Sequence, residues 1–255
     1  MFGRSAARHT VIDEGTGSDF DDKLDDFNPQ ASSQWDSLAH AGFAADRFYN
    51  AATTAQVANG TRNTIENWAR KGIVGRAVVI DIDALFGGAG IGFDPGETRR
   101  ITVADLERAR AEAEVRWQPG DIMLMHTGFL RWYLAQDALT RERYGQSNSD
   151  LLTGVGLDRG PKMLAYLWDS RLSGVAADNP AVEAMPFDLR PEAWPFGFLH
   201  ACIIGQLGMA LGELWWLADL TDACRSDSRY EVFLTSAPMH VVGGIASPAN
   251  ALAIR

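Results

Sequence analysis

The chain has 255 residues, a formal net charge of −10 at pH 7, 46% hydrophobic residues and 22% charged residues. This composition is typical of a soluble globular protein, and the length suits one large domain with a sizeable core. The negative charge argues against a nucleic-acid partner, because such binding needs clustered Lys and Arg. No apolar run approaches the roughly 20 residues that span a bilayer. The start of the chain lacks the apolar run of a secretory signal, so we expect a cytoplasmic protein without membrane contact.

The first 27 residues are polar and rich in aspartate. We expect residues 1–27 to form an acidic N-terminal arm, irregular in structure and outside the packed core. The remainder of the chain contains no repeat and no low-complexity linker. Residues 28–255 are therefore predicted to form a single domain.

Short apolar runs alternate along the chain with segments of helical periodicity. Helical spacing and end signals predict helices over residues 64–71, 102–115, 129–139, 161–169 and 200–207. Runs rich in β-branched residues predict buried strands over residues 77–82, 122–125, 173–179 and 230–236. This alternation indicates an α/β fold.

Residues 28–40 combine carboxamides, hydroxyls, an indole, a carboxylate and an imidazole. Asp36 and His40 are close enough in sequence to converge on one ligand, either from one face of a helix or from a loop. A carboxylate and an imidazole can hold a divalent metal or divide the roles of acid and base. The structural alternative is that Asp36 caps a helix and Trp35 lies in the core.

Three further residues are candidates for the wall of a substrate pocket. Phe48 and Tyr49 follow the polar stretch as part of an aromatic cluster, and core packing is the alternative for both. His126 follows a predicted buried strand, where a polar side chain can line a site or cap the next segment. The eight tryptophans could likewise hold an aromatic substrate, although core or subunit interface is their commoner use.

His200 and Glu213 form a second concentration of polar chemistry. A glycine-containing turn between them would allow them to converge after a predicted helix. Together with Asp36 they make a plausible ligand set for Zn²⁺ or Mn²⁺. The structural alternative is a satisfied helix histidine and a surface carboxylate.

Several blocks of the chain resemble the cyclase family that is related to bacterial kynurenine formamidase and isatin hydrolase. The family signature runs His-x-Gly-Thr-His-x-Asp-x-Pro-x-His, and its aspartate and last histidine fall on Asp36 and His40. Its two earlier histidines fall on Gln30 and Gln34. Further blocks follow in family order at residues 120–128, 177–183, 200–213 and 230–248.

The resemblance implies a compact β/β/α fold of the swivelling type, with a mixed sheet or barrel-like core and flanking helices. It also implies a homodimer or homotetramer. The implied activity is hydrolysis of a C–N bond other than a peptide bond, as in an arylformamidase. It gives Asp36, His200 and Glu213 as ligands of one metal and associates His40 and Glu213 with proton transfer.

The substitution of two signature histidines limits what can be bound. Gln30 and Gln34 are neutral carboxamides and far weaker ligands for Zn²⁺ than imidazole. We therefore expect one divalent ion, Zn²⁺ or Mn²⁺, held by Asp36, His200 and Glu213, and the alternative is a protein that holds no metal.

The resulting hypothesis is a metal-dependent hydrolase of an amide, formamide or cyclic amide in a small aromatic or cyclic substrate. Gln34, Trp35, Phe48, Tyr49 and His126 would contact that substrate. The alternatives are a metal-free binding protein, isomerase or cyclase on the same fold, and a structural subunit whose acidic surface serves assembly.

Overall fold

A computed structural model describes residues 2–13, 15, 17–146 and 152–255 of the protein. Its centre is a sheet of eight strands in the order β11-β3-β9-β8-β6-β4-β10-β12. The strands of this sheet are β3 (Gln34–Asp36), β4 (Ile73–Asp81), β6 (Ile122–His126), β8 (Gly174–Ala177), β9 (Ala210–Glu213), β10 (Glu231–Ser236), β11 (Ala246–Ser247) and β12 (Ala251–Ile254).

The sheet is mixed. Its four central strands, β9, β8, β6 and β4, run parallel, and the strands added at both ends pair antiparallel. The parallel strands are buried on both faces, which explains why they read in the sequence as continuous apolar runs. The predicted α/β domain with a mixed sheet and flanking helices is confirmed.

Helices cover the sheet and connect its parallel strands. Their starts follow local chemistry: Thr102, for example, accepts a hydrogen bond from the Asp105 N–H in a capping box before α4. The helices are α1 (Thr54–Ala58), α2 (Glu66–Lys71), α3 (Ile82–Leu85), α4 (Val103–Glu112), α5 (Phe129–Leu134), α6 (Ala138–Gln146), α7 (Pro161–Asp169), α8 (Leu199–Ile203) and α9 (Ala218–Asp227). In the part of the chain that the structure describes, no helix has the length and apolar character needed to cross a membrane.

Two small pairs of strands lie apart from the main sheet, and one pair is parallel and the other antiparallel. β5 (Arg100–Ile101) pairs with β7 (Gly156–Leu157), and β1 (Arg8–Asp13) pairs with β2 (Phe20–Asp25). The β1–β2 hairpin shows that part of the acidic arm is regular, where an irregular arm was expected. Almost all of its residues are exposed, so it adds little to the core.

Two other segments differ from the sequence prediction. The stretch around Asp36 is a strand followed by a turn, so Asp36 does not cap a helix. α9 was not predicted from the sequence, because it is polar on most of its surface.

The core consists of two apolar clusters. The larger includes Val78, Ile80, Met123 and Met125, which are one set of alternate side chains of β4 and β6. The smaller contains the other set, and Trp35 packs there against Trp215 with ring centroids 4.9 Å apart.

Candidate functional site

The site begins at the pairing of two short strands. β3 and β9 are antiparallel, and their register places Gln34 opposite Glu213. Side chains alternate along a strand, so Gln34 and Asp36 point to one face of β3 while Trp35 points to the other. Gln34, Asp36 and Glu213 are thereby gathered on one face, and all three are buried.

The helix α8 brings His200 to the same place. Its Nε2 lies 2.8 Å from Glu213 Oε1, and its Nδ1 lies 2.7 Å from Glu183 Oε1. Glu183 also accepts hydrogen bonds from the backbone N–H groups of Leu199 and His200, at 2.7 and 3.0 Å. Glu183 thus fixes both the start of the helix and the orientation of the imidazole.

Two carboxamides complete the network. Gln34 Nε2 donates to Glu213 Oε2 at 2.7 Å, and Gln30 Nε2 donates to Asp36 Oδ1 at 3.0 Å. Gln30 Nε2 also lies 3.0 Å from His40 Nδ1. The Oε1 atom of Gln34 is buried and has no hydrogen-bond partner among the described residues. An orphaned acceptor beside the carboxylates of Asp36 and Glu213 is a position where a ligand can supply the missing donor or charge.

His40 reaches the site from the turn after β3, where its N–H donates to the Ser37 carbonyl. Its ring lies 6.0 Å from the ring of His200, centroid to centroid. Asp36, His40 and His200 each offer one potential ligand atom, and these three atoms lie within 4.8 Å of one another. The structure therefore brings together all four residues that were predicted to bind metal or move protons: Asp36, His40, His200 and Glu213.

The environment shifts the pKa values of three of these groups. Burial lowers the pKa of His40 below 6.5, against the raising effect of the Asp36 carboxylate. Burial and the Asp36 charge raise the pKa of Glu213 to about 7. Burial lowers the pKa of His200, but the hydrogen bonds to Glu183 and Glu213 outweigh it and raise that pKa to about 10. Without a further cation, His200 is an imidazolium clamped between two carboxylates.

The donor atoms are of the kind that fits a divalent ion. An imidazole that donates Nδ1–H to a carboxylate presents Nε2 as a ligand, and Glu183 gives His200 this arrangement. Asp36, His40 and the free Gln34 oxygen add donors of the kind that Zn²⁺ and Mn²⁺ accept. Glu213 becomes available once the proton that it shares with His200 is released. The Gln30 and Gln34 side chains direct their N–H groups at Asp36 and Glu213. An N–H group cannot ligate a cation.

The other predicted contact residues lie elsewhere. Trp35 is fully buried on the opposite face of β3, where its Nε1 donates to Ser236. The structure thus corrects the prediction of a substrate contact for Trp35, because strand alternation turns it into the core. Tyr49 packs against Gly208, just beyond α8, and Phe48 lies beside Gly42, so both remain candidates for a wall.

His126 belongs to a separate buried cluster at the ends of β4, β6 and β8. Its Nδ1 lies 3.3 Å from Asp81 and its Nε2 lies 3.8 Å from Asp178. Asp81, Asp83 and His126 also have the spacing of metal ligands. The Arg225 guanidinium already contacts both aspartates, at 2.6 and 2.9 Å, so the cluster carries its own cation. The substrate contact that was predicted for His126 gains no support from this position.

Sequence reasoning missed three residues that contact His200: Glu183, Phe187 and Phe198. The Phe198 ring stacks on the imidazole with centroids 4.7 Å apart and an interplanar angle of 4°. The Phe187 ring lies 6.2 Å from it. Phe187 and Phe198 lie in or next to an irregular segment without periodicity, so no pattern in the sequence links them to the histidine.

The backbone is strained next to both carboxylates that hold His200. Val182 has φ 57° and Leu214 has φ 55°, and bulky side chains are rarely found in this left-handed region. The two segments are tied together, since the Leu214 N–H donates to the Asn179 carbonyl and the Trp215 N–H to the Ala177 carbonyl. Such strain persists where the surroundings enforce it, and it is concentrated at functional sites.

Comparisons with known proteins give the family and the fold of the chain. The model of the Cyclase family, "Putative cyclase", matches residues 9–184. A solved "novel cyclase" is 30% identical, with a TM-score of 0.83, over 99% of this chain and 82% of that chain. No curated protein matches the sequence.

Two more distant structures share the fold. Isatin hydrolase A from Labrenzia aggregata, bound to benzyl benzoate, is 16% identical with a TM-score of 0.67, over 97% of this chain and 82% of that one. The "predicted metal-dependent hydrolase" from Bacillus stearothermophilus is 16% identical with a TM-score of 0.51, over 97% of this chain and 86% of that one.

Proposed function

Because the chain belongs to the Cyclase family, we propose that it is a metal-dependent hydrolase. Its reaction would be cleavage of a C–N bond in an amide, formamide or cyclic amide of a small aromatic or cyclic compound. The observation that carries this proposal is the convergence of Asp36, His40 and His200, whose ligand atoms lie within 4.8 Å of one another. Glu183 and Glu213 hold His200 between them at this point.

Asp36, His200 and Glu213 would hold one divalent ion, with His40 and the Gln34 oxygen next to it. Such an ion lowers the pKa of bound water from 15.7 towards about 7 and polarises a carbonyl group. The carboxylates Asp36 and Glu213 supply most of the negative charge that a dication requires. Zn²⁺ and Mn²⁺ both suit this mixed set of nitrogen and oxygen donors.

His40 and Glu213 are suited to move the proton. A histidine whose pKa is lowered is a neutral base at pH 7, and its Nδ1 faces the interior of the site next to Gln30. In the metal-free protein Glu213 has a pKa of about 7, so it can hold or release a proton near neutrality. Gln34 Nε2, which donates to Glu213, would use its second N–H to stabilise negative charge that develops at a carbonyl oxygen.

Aromatic rings next to His200 support an aromatic or cyclic substrate. Phe198 stacks on the imidazole, and Phe187 and Phe198 pack together with centroids 5.1 Å apart. Phe48 and Tyr49 would extend this wall from the segment after the signature. The predicted cytoplasmic location and homodimer or homotetramer remain predictions.

A metal-free reaction or binding function is the second candidate, and one observation favours it. The Gln30 and Gln34 amides already donate to Asp36 and Glu213, so much of the negative charge in the site is satisfied by neutral groups. On this alternative, His40 and Glu213 alone would exchange protons in an isomerisation or cyclisation.

The test of the proposed function is turnover of formanilide, an N-formyl aromatic amine, by the zinc- or manganese-supplemented protein. We expect His40→Ala to lower kcat by about 10²- to 10⁴-fold, which is the usual contribution of a general base. His240→Ala is the matched control, because His240 is exposed and its described contact is with Arg70. Unchanged turnover in His40→Ala would show that His40 has no role in proton transfer.

A further inference from the structure

The segment from Phe2 to Arg4 is anchored next to the candidate site. Phe2 packs against the larger core cluster, and the Gly3 N–H donates to the Gly145 carbonyl at 2.7 Å. Arg4 Nη1 donates to the Gln30 carbonyl at 2.5 Å. These contacts hold the half-buried Arg4 side chain in one place, in contrast to the exposed hairpin that follows it.

Gln30 connects the Arg4 guanidinium to the side chains of the candidate site. Its carbonyl accepts from Arg4, while its side-chain amide contacts Asp36 and His40. A single residue therefore separates Arg4 from two of the gathered side chains.

Arg4 keeps most of its binding capacity free. Its described contacts are the Gln30 carbonyl and the Phe2 ring, 5.3 Å from the guanidinium carbon, and no described carboxylate pairs with it. Some arginines of the chain, such as Arg76 and Arg131, are paired with aspartates. Arginine offers five N–H donors in a planar fork that matches a carboxylate. Partial burial strengthens such a pair.

Building on the proposed hydrolase function, we propose that Arg4 binds a carboxylate of the substrate through this fork. The substrate class would then be anionic: an aromatic or cyclic amide that carries a carboxylate at some distance from the bond that is cleaved. Arg4 would act in substrate selection and would take no part in bond cleavage. It also opposes the repulsion that Asp36 and Glu213 exert on an anion.

The test compares two ligands that differ in one charge. Binding of benzoate and benzamide is measured by calorimetry with wild-type protein, Arg4→Gln, Arg4→Lys and the control Arg8→Gln. Arg8 is an exposed arginine of the same N-terminal region and pairs with Asp26. We expect wild type to prefer benzoate, and Arg4→Gln to lower the benzoate-to-benzamide affinity ratio by about 10- to 100-fold. Arg4→Lys should keep part of the preference, and Arg8→Gln all of it.

Turnover supplies a second readout. The ratio of kcat/KM for N-formylanthranilate to that for formanilide should fall in Arg4→Gln by the same factor. An unchanged ratio in Arg4→Gln, an equal fall in Arg8→Gln, or the absence of any preference in wild type would overturn the proposal. If neither formamide is hydrolysed by any of the proteins, the hydrolase function fails, and the binding ratio still decides the role of Arg4.

Discussion

His200 shows how neighbouring residues set the chemistry of a side chain. Glu183 and Glu213 contact its two ring nitrogens at 2.7 and 2.8 Å, and all three groups are buried. The sequence indicated His200 and Glu213 through the family resemblance. It could not indicate Glu183, because that contact depends on the way the strained turn at Val182 faces the start of α8.

Replacement of Glu183 by glutamine should weaken metal binding. A glutamine side chain has one acceptor oxygen for three N–H donors, so the fixed orientation of His200 is lost. Loss of such a supporting contact typically lowers metal affinity by about 10- to 100-fold. Zinc affinity measured by chelator competition checks this.

Asp121→Asn is the matched control for that variant. Asp121 is also a buried carboxylate, and it accepts from Arg76 and from the Gln118 backbone, away from the site. Both variants should lose stability, of the order of 1–3 kcal/mol for a buried group left without its partner. Equal zinc affinity in Glu183→Gln and Asp121→Asn would contradict the orienting role.

The raised pKa of His200 predicts the pH dependence of stability in the metal-free protein. Its pKa is 6.5 ordinarily and about 10 in the fold, so the folded state retains a proton that the unfolded state loses. This contribution is fully present below pH 6.5 and is lost as the pH rises to about 10. Urea unfolding of chelator-treated protein should therefore give a falling free energy of unfolding across this range.

Between pH 6.5 and pH 10, the free energy of unfolding of the His200→Gln variant should fall less steeply than that of wild type. A residual slope is expected, because the pKa of His126 is also raised, by its hydrogen bond to Asp81 and its proximity to Asp178, in spite of its burial. Identical slopes in the two proteins would show that His200 is not held as an imidazolium.

At the level of elements, the site depends on the strand β3 and the helix α8. The sequence predicted the helix better than the strand. Helix α8 was predicted near its true position, but the stretch around Asp36 was expected to be a helix or a loop and is a strand. The three residues of β3 are too few to show periodicity, and their conformation is imposed by pairing with β9 and β11. This pairing separates Gln34 and Asp36 from Trp35.

The pair β5–β7 positions the turn that carries Glu183. A Cβ atom on Gly156 in β7 would lie 2.2 Å from the Glu183 carbonyl carbon, so Gly156→Ala must displace that backbone. We expect a loss of about 1–3 kcal/mol in stability together with weaker zinc binding. Thermal unfolding and chelator competition measure the two effects.

Gly145→Ala is the control, since no atom of the described residues lies within 4 Å of a Cβ atom at that position in α6. It should keep wild-type zinc affinity and gain stability or leave it unchanged. Wild-type zinc affinity in Gly156→Ala would show that the position of Glu183 is not important for the metal.

For the whole molecule, the alternation of apolar runs and helical segments was sufficient to predict the class of fold. It identified three of the four central strands, β4, β6 and β8, and the antiparallel β10. It could not give the order of the strands or the addition of β3 and β11, because these depend on long-range pairing. α9 was not predicted, because most of its residues are polar and the few side chains that it buries give only a weak apolar pattern.

We propose that this site, in which Gln30 and Gln34 donate to Asp36 and Glu213, binds one divalent ion and not two. Elemental analysis of protein purified after expression in zinc- and manganese-supplemented medium tests it most directly. We expect about one divalent ion per chain in wild type and far less in Asp36→Ala. Two ions per chain would show that Gln30 and Gln34 support a second ion, and a content near zero in wild type would contradict the metal-dependent mechanism.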